Sequence, residues 1–258
     1  MGLAHAIGEH LPYLRRYARA VCGTQKSGDA YVRACLEAVV ADVSALPENL
    51  PPRVGLYKLF HAIWSTTDVE GAAQERELKN SAPMVEQRLH HLTPISRQAL
   101  LLTAMEGFSQ RETAQILEKK EADISSMLKS ALEEITRQPR TKVLVIEDEP
   151  IISLDLQSIV REMGHTVVAV ATTRDEAVSA ANKTSPGLVL ADIKLADGSS
   201  GIDAVRQIMQ QHNVPVVFIT AYPERLLTGE RPEPTFLVTK PFLPDTVRVA
   251  VSQALLFT

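Results

Sequence analysis

Thr141-Lys142-Val143-Leu144-Val145-Ile146-Glu147-Asp148-Glu149-Pro150 decides how the carboxyl-terminal half of this 258-residue chain folds. The apolar run 143–146 reads as a buried strand, and the acids after it end the strand. Pro150 suits the first turn of a helix, which carries Ile152, Leu156, Ile159, Val160 and Met163 at helical spacing before Gly164 stops it. Working outward, strands are predicted at 166–171, 188–191, 216–219 and 236–239. Helices are predicted at 173–183, 201–212 and 243–256, with a further helix within 222–229. Alternation of this kind predicts a doubly wound α/β domain over 141–258.

Each apolar run ends in chemistry. Leu188-Val189-Leu190-Ala191 runs into Asp192, Val216-Val217-Phe218-Ile219 into Thr220, and Phe236-Leu237-Val238-Thr239 into Lys240-Pro241. In an open parallel sheet, polar residues just past the carboxyl ends of strands converge on one crevice. The crossover between the first and third strands makes them neighbours, so Glu147 and Asp148 should face Asp192. Three carboxylates repel one another unless a cation neutralises them, and Mg²⁺ held by side chains, a backbone carbonyl and waters fits. Such an ion can relieve the charge that builds as a phosphoryl group reaches Asp192, while Lys240 adds a second positive charge and Thr220 a hydroxyl. Taken singly, Asp192 would be a turn or cap residue, Thr220 a strand end and Lys240 a solvated cation. Their joint placement argues against those readings.

These motifs, Ile146-Glu147-Asp148-Glu149-Pro150, Asp192, Thr220-Ala221 and Lys240-Pro241-Phe242, give residues 141–258 a resemblance to the flavodoxin-like receiver domain of two-component response regulators. The resemblance implies Asp192 as phosphoacceptor, Thr220 as switching hydroxyl and Lys240 as phosphate-pairing cation. It implies Mg²⁺ held by Glu147, Asp148, Asp192 and the backbone carbonyl of Lys194, and a cis Lys240-Pro241 bond. One departure stands out: Leu237 occupies the position of the usual aromatic switch, with Phe236 one place earlier. The usual aromatic rotation is therefore not implied, and Tyr222, beside Thr220, is a candidate participant with the switch aromatic left open.

Composition bounds the rest. At 258 residues, two domains are expected, and 45% hydrophobic with 22% charged residues is ordinary globular composition. Net charge is −4; residues 1–140 carry 17 basic and 17 acidic residues, and 141–258 carry 10 and 14. Neither half has the basic excess that drives binding to a phosphate backbone. Cys22 and Cys35 lie in apolar helical sequence and read as core residues of a protein kept in a reducing cytosol. No apolar run reaches membrane-spanning length, no signal segment opens the chain, and Ala6 stands where a myristoylation motif needs Ser or Thr. A cytoplasmic protein without membrane attachment is expected.

Residues 1–138 read as an all-α domain. Helices at 11–21, 27–43 and 54–64 form a first group, with Leu14, Tyr17, Tyr31, Leu36, Leu59, Phe60 and Trp64 as candidate core. The polar stretch 70–80 reads as a linker or partner-dependent helix. A second group over 83–138 contains the capping-box sequence Ser109-Gln110-Arg111-Glu112, a short helix to Leu117, and a helix with Ile124, Leu128, Ala131 and Ile135 on one face, together a helix-turn-helix.

Leu89, Leu100-Leu101-Leu102, Glu106-Gly107-Phe108-Ser109, Glu112-Thr113-Ala114 and Ile116-Leu117 make the second group resemble region 4 of extracytoplasmic-function sigma factors, and 10–65 resemble region 2 less specifically. Yet the face that would read promoter DNA offers Glu121, Asp123, Ser125, Ser126, Lys129 and Glu133 after Lys119 and Lys120. Acids facing phosphates cost affinity, and no Arg is present for a guanine contact, which weighs against DNA binding. A sigma-like domain at 1–138 followed by a receiver at 141–258 is similar in order to the PhyR family of general stress response regulators. That resemblance implies a phosphorylation-driven partner switch in which the sigma-like domain sequesters a NepR-type anti-sigma factor and releases the true sigma factor. It implies a sensor histidine kinase or phosphotransfer protein as phosphodonor, and no enzymatic activity beyond receiver self-phosphorylation and dephosphorylation. In physical terms such a switch is a two-state equilibrium whose resting state is expected to have the receiver cover the anti-sigma site through its face from the fourth strand to the carboxyl-terminal helix, with Leu255, Leu256 and Phe257 as candidate contacts. A phosphorylation-gated DNA-binding sigma factor is the alternative. A Mg²⁺-dependent phosphatase ranks last, because Ile193 and Lys194 stand where it needs a second carboxylate.

Overall fold

The computed structural model describes residues 3–47, 49–77, 94–135, 138–227, 234 and 236–256, with backbone alone at 3–5, 67–77 and 134. Two compact units result, Met1–Ala131 and Leu132–Thr258. Among the described residues no helix is long and apolar enough to cross a membrane. The expected group start at Pro83, Leu89 and Phe257 lie outside the described residues.

The first unit is helical. It comprises α1 (Leu3–Gly8), α2 (Leu11–Cys22), α3 (Gln25–Ala41), a 3₁₀ turn Val43–Ala45 and α4 (Pro52–Glu77). Pro12 occupies the first turn of α2, where its missing N–H costs nothing, and Gly23 ends the helix at φ +78. Thr24 caps α3, accepting the Ser27 N–H. A Cβ on Gly28 would stand 2.8 Å from the Arg19 nitrogen, so α2 and α3 approach at backbone contact there. α4 runs to Glu77, so the stretch read as a linker or partner-dependent helix is helical as far as the described residues reach. Its inward stripe is Val54, Tyr57, Phe60, His61 and Trp64, with Leu56 also buried, whereas the expected core residues Leu59, Leu36 and Tyr31 are only half-buried. Tyr57 packs edge-on against Phe108 at 4.8 Å, and the Tyr17 hydroxyl meets His61 Nε2 at 2.8 Å.

The remainder of this unit begins with α5 (Ile95–Leu100), which passes into a π turn, Leu101–Met105. α6 (Gln110–Leu117) opens with the capping box: Ser109 accepts the Glu112 N–H, and the Glu112 side chain accepts the Ser109 N–H. α7 (Glu121–Ile135) follows, and Ala99, Ala114 and Ile124 form the small core under the pair, with Leu117, Met127 and Leu128 against it. Glu121, Asp123, Ser125, Ser126, Lys129 and Glu133 all lie exposed on the outer face of α7.

The second unit alternates β1 (Lys142–Ile146), α8 (Pro150–Glu162), β2 (Thr166–Ala171), α9 (Arg174–Thr184), β3 (Leu188–Ala191), α10 (Gly201–Met209), β4 (Val216–Thr220), β5 (Phe236–Thr239) and α11 (Pro244–Leu256). The strands form one parallel sheet in the order β2-β1-β3-β4-β5. Strand order reverses between β1 and β3, the switch point at whose carboxyl ends open α/β sheets place their sites. β1 and β3 are buried along 143–146 and 188–191, as continuous apolar runs in a sheet covered on both faces must be. The helix expected within 222–229 is not formed among the described residues. Pro223–Arg225 form only a 3₁₀ turn.

Candidate phosphorylation site

Backbone hydrogen bonds bring the strand ends together. The Asp192 N–H donates to the Ile146 carbonyl at 2.9 Å, the Glu147 N–H to Ala171 at 2.9 Å, and the Lys240 N–H to Thr220 at 2.8 Å. These bonds carry the sheet one residue beyond each apolar run, so the first polar side chain after it stands at the rim. Ligand oxygens of Glu147, Asp148 and Asp192 lie within 4.8 Å of one another. Glu147 and Asp192 are buried, and Asp148 is half-buried.

Lys240 is the cation of the cluster. Its Nζ donates to Asp192 Oδ2 at 2.7 Å, to Glu147 Oε1 at 2.9 Å and to Glu149 Oε1 at 3.1 Å. The other Asp192 oxygen, Oδ1, accepts the Ile193 N–H at 2.6 Å and the Lys194 N–H at 3.4 Å. Burial pushes the Glu147 carboxyl up to about 7, against the pull of Lys240. The carboxylates around Lys240 outweigh its own burial and hold its ammonium well above the ordinary lysine range. The Lys240-Pro241 bond is cis.

The donor set suits a hard divalent cation. Glu147 Oε2 is buried and accepts no hydrogen bond, though it lies 2.9 Å from the Lys240 ammonium. Lys194 pairs with Ser200 in an antiparallel bridge closed by Gly201 N–H to Ile193 and Leu195 N–H to Ser199, which leaves the Lys194 carbonyl outside the ladder. All-oxygen donors with net negative charge match Mg²⁺.

Thr220 is fully buried, and its Oγ1 accepts the Tyr222 N–H at 3.2 Å. Tyr222 is 41% exposed; Lys194 Nζ lies 5.7 Å and the Arg225 guanidinium 5.9 Å from its ring centre. Leu237 and Phe236 are both buried in β5. Sequence reasoning named no role for Glu149 or Gly201, and both belong here. Glu149 stood in the same acidic run and meets Lys240. A Cβ on Gly201 would fall 1.7 Å from the Asp192 carbonyl oxygen, so the start of α10 rests on the backbone of Asp192.

With this geometry in view, relatedness can be read along the whole chain. Residues 7–61 match the Sigma2 domain of PhyR, 89–138 the sigma-like domain of response regulator PhyR, and 143–252 the response regulator receiver domain. The Phyllosphere-induced regulator PhyR of Methylorubrum extorquens is 46% identical over 258 residues, covering 100% of this chain and 96% of that protein. The chain belongs to the PhyR family. Among solved family members, the response regulator PhyR of Brucella abortus is 50% identical with a TM-score of 0.84, covering 100% of this chain and 95% of its own. The anti-anti-sigma factor PhyR of Bartonella quintana is 49% identical with a TM-score of 0.84, covering 99% and 96%. Helical sigma-like segments followed by a receiver built on a five-stranded parallel sheet are the architecture of this PhyR-family chain.

Proposed function

We propose that this protein is a cytoplasmic, phosphorylation-activated anti-anti-sigma factor, a regulator whose only chemistry is to accept and lose a phosphoryl group on Asp192. The observation that carries this reading is the meeting of Asp192, Glu147, Asp148 and Lys240 at the β1/β3 switch point of a chain that also carries sigma-like segments. In the reaction an Asp192 oxygen forms a bond to phosphorus as the bond to the donor breaks. From a phosphohistidine of a sensor kinase or phosphotransfer protein, the leaving imidazole nitrogen regains a proton. Glu147, Asp148, Asp192 and the Lys194 carbonyl would hold Mg²⁺, which supplies positive charge to the phosphoryl oxygens when bound.

Lys240 already donates to Asp192 Oδ2 and can pass that contact to a phosphoryl oxygen. Thr220, released from the Tyr222 N–H, offers its hydroxyl to another. These new contacts bias an equilibrium between a state that does not hold the anti-sigma factor and one that does, for which about 3–5 kcal/mol of differential stabilisation suffices. The sigma-like half then sequesters a NepR-type anti-sigma factor and leaves the true sigma factor free to act. Promoter binding is disfavoured by the exposed acids of α7 and the balanced charge of residues 1–140. The test is mass spectrometry after incubation with acetyl phosphate and Mg²⁺. Wild type should gain one hydroxylamine-labile phosphoryl group and Asp192→Ala none; equal labelling of the two would refute Asp192 as acceptor.

A further inference from the structure

Glu106 is a buried carboxylate with no part in the phosphorylation crevice, and side chains from two helices converge on it. Arg16 of α2 donates to its Oε1 through Nη2 at 2.8 Å, with side chains only 5% and 2% exposed. The Tyr57 hydroxyl of α4 donates to Oε2 at 2.8 Å. Burial, reinforced by the Glu106 charge, pushes that phenol well above its ordinary range, so it remains a donor. Arg16 also reaches the Met105 carbonyl at 3.2 Å. The Arg53 guanidinium donates to the Glu106 carbonyl and lies 4.2 Å over the Phe108 ring.

The backbone is shaped for this delivery. The π turn Leu101–Met105 ends with the Glu106 N–H on the Leu101 carbonyl, and Gly107 then turns the chain at φ +72. One residue fewer in that turn would rotate position 106 by about 100° about the helix axis and carry the carboxylate away from Arg16. Arg16, Arg53 and Tyr57 belong to the segment 7–61, while Glu106 and Phe108 belong to 89–138. A buried, fully hydrogen-bonded ion pair adds little net stability over an apolar replacement, but it penalises every arrangement that parts its members.

The geometry points to Glu106 as a positioning residue that locks the region 2-like and region 4-like segments into one body, so that an anti-sigma factor meets a single preformed surface. The inference rests on the anti-sigma reading above for its purpose, though not for its first readout. Preorganisation of this kind strengthens binding by removing the ordering cost at the moment of association.

The test uses full-length protein with Cys22→Ser and Cys35→Ala, and spin labels on Val40→Cys and Ser125→Cys, both exposed positions, one in each segment. Wild-type Glu106 should give one narrow distance distribution and Glu106→Gln a broadened one. Beside it, calorimetric titration with a NepR-type anti-sigma factor and acetyl phosphate should show at least about a tenfold loss of affinity for Glu106→Gln, with unchanged helical circular dichroism. A folded Glu106→Gln protein that keeps the narrow distribution or the wild-type affinity overturns the proposal. Should Glu106→Gln fail to fold, Tyr57→Phe, which removes one hydrogen bond and leaves the ion pair, decides by the same readouts and should shift them in the same direction by less. If wild type itself binds no anti-sigma factor, the functional reading has failed, and the distance distribution alone decides the lock.

Discussion

Lys240 holds three carboxylates at once, and the consequence for pH falls on Glu147. Its carboxyl is held up to about 7 by burial. Between the ordinary carboxylate range and 7, the unfolded chain has released a proton that the folded receiver retains. The metal-free fold therefore loses stability from this group as pH rises through that window, and keeps the contribution in full below it. A divalent cation reverses the preference, because it needs the ionised carboxylate. Mg²⁺ affinity measured calorimetrically should rise about tenfold between pH 6 and pH 8, as proton competition at Glu147 fades; a flat profile would contradict the assignment. Gly201 is the other residue whose replacement is informative. Since a Cβ there would sit 1.7 Å from the Asp192 carbonyl oxygen, Gly201→Ala must displace the backbone beside Asp192. We expect a loss of about 1–3 kcal/mol of stability together with slower labelling by acetyl phosphate. An unchanged labelling rate would mean that the β3 to α10 connection does not position Asp192.

Elements were legible in proportion to how local their causes are. The strands could be read because buried parallel strands are continuous apolar runs, and the clustering of the candidate site residues because each run ends in a residue with distinctive chemistry. Ser109 and Glu112 announced α6 by reciprocal capping, and Ser109→Ala should cost about 1 kcal/mol in thermal melts. The inward face of α4 could not be phased, because Val54, Leu56, Tyr57, Leu59 and Phe60 are all apolar and only packing buries 54, 56, 57, 60, 61 and 64 while leaving Leu59 half-buried. Burial of His61 and Glu106 was invisible for a related reason: each is a polar residue whose partners, Tyr17 for one and Arg16 with Tyr57 for the other, lie tens of residues away in the chain. The π turn that aims Glu106 leaves no periodicity to detect. His61 carries its own prediction. Burial depresses it from 6.5 to about 3, so as pH falls through that window the unfolded chain takes up a proton that the fold refuses. Stability of the helical unit should fall with acidification by up to about 1.4 kcal/mol per pH unit from this residue. Melts of wild type and His61→Gln at pH 7 and pH 5 would check this, with the variant showing the smaller acid-induced loss; equal losses would contradict it.

At the scale of the whole molecule, the protein joins sigma-like segments to a receiver domain. The cluster proposed to accept phosphate lies within 141–258, where Asp192, Lys240 and the acidic pair meet, and the sigma-like segments lie at 7–61 and 89–138. Residues 1–140 balance 17 basic against 17 acidic side chains, so they lack the counterion-release drive that DNA binding requires. Protein recognition has no such requirement, so the proposed phosphorylation-gated partner exchange needs no contact to a promoter. The most direct measurement is a calorimetric titration of full-length protein with a NepR-type anti-sigma factor, with and without Mg²⁺ and acetyl phosphate, beside Asp192→Ala and a promoter-DNA control. We predict that phosphodonor strengthens anti-sigma binding in wild type, leaves Asp192→Ala unchanged, and produces no heat with DNA; salt-sensitive DNA binding with no anti-sigma response would contradict the account.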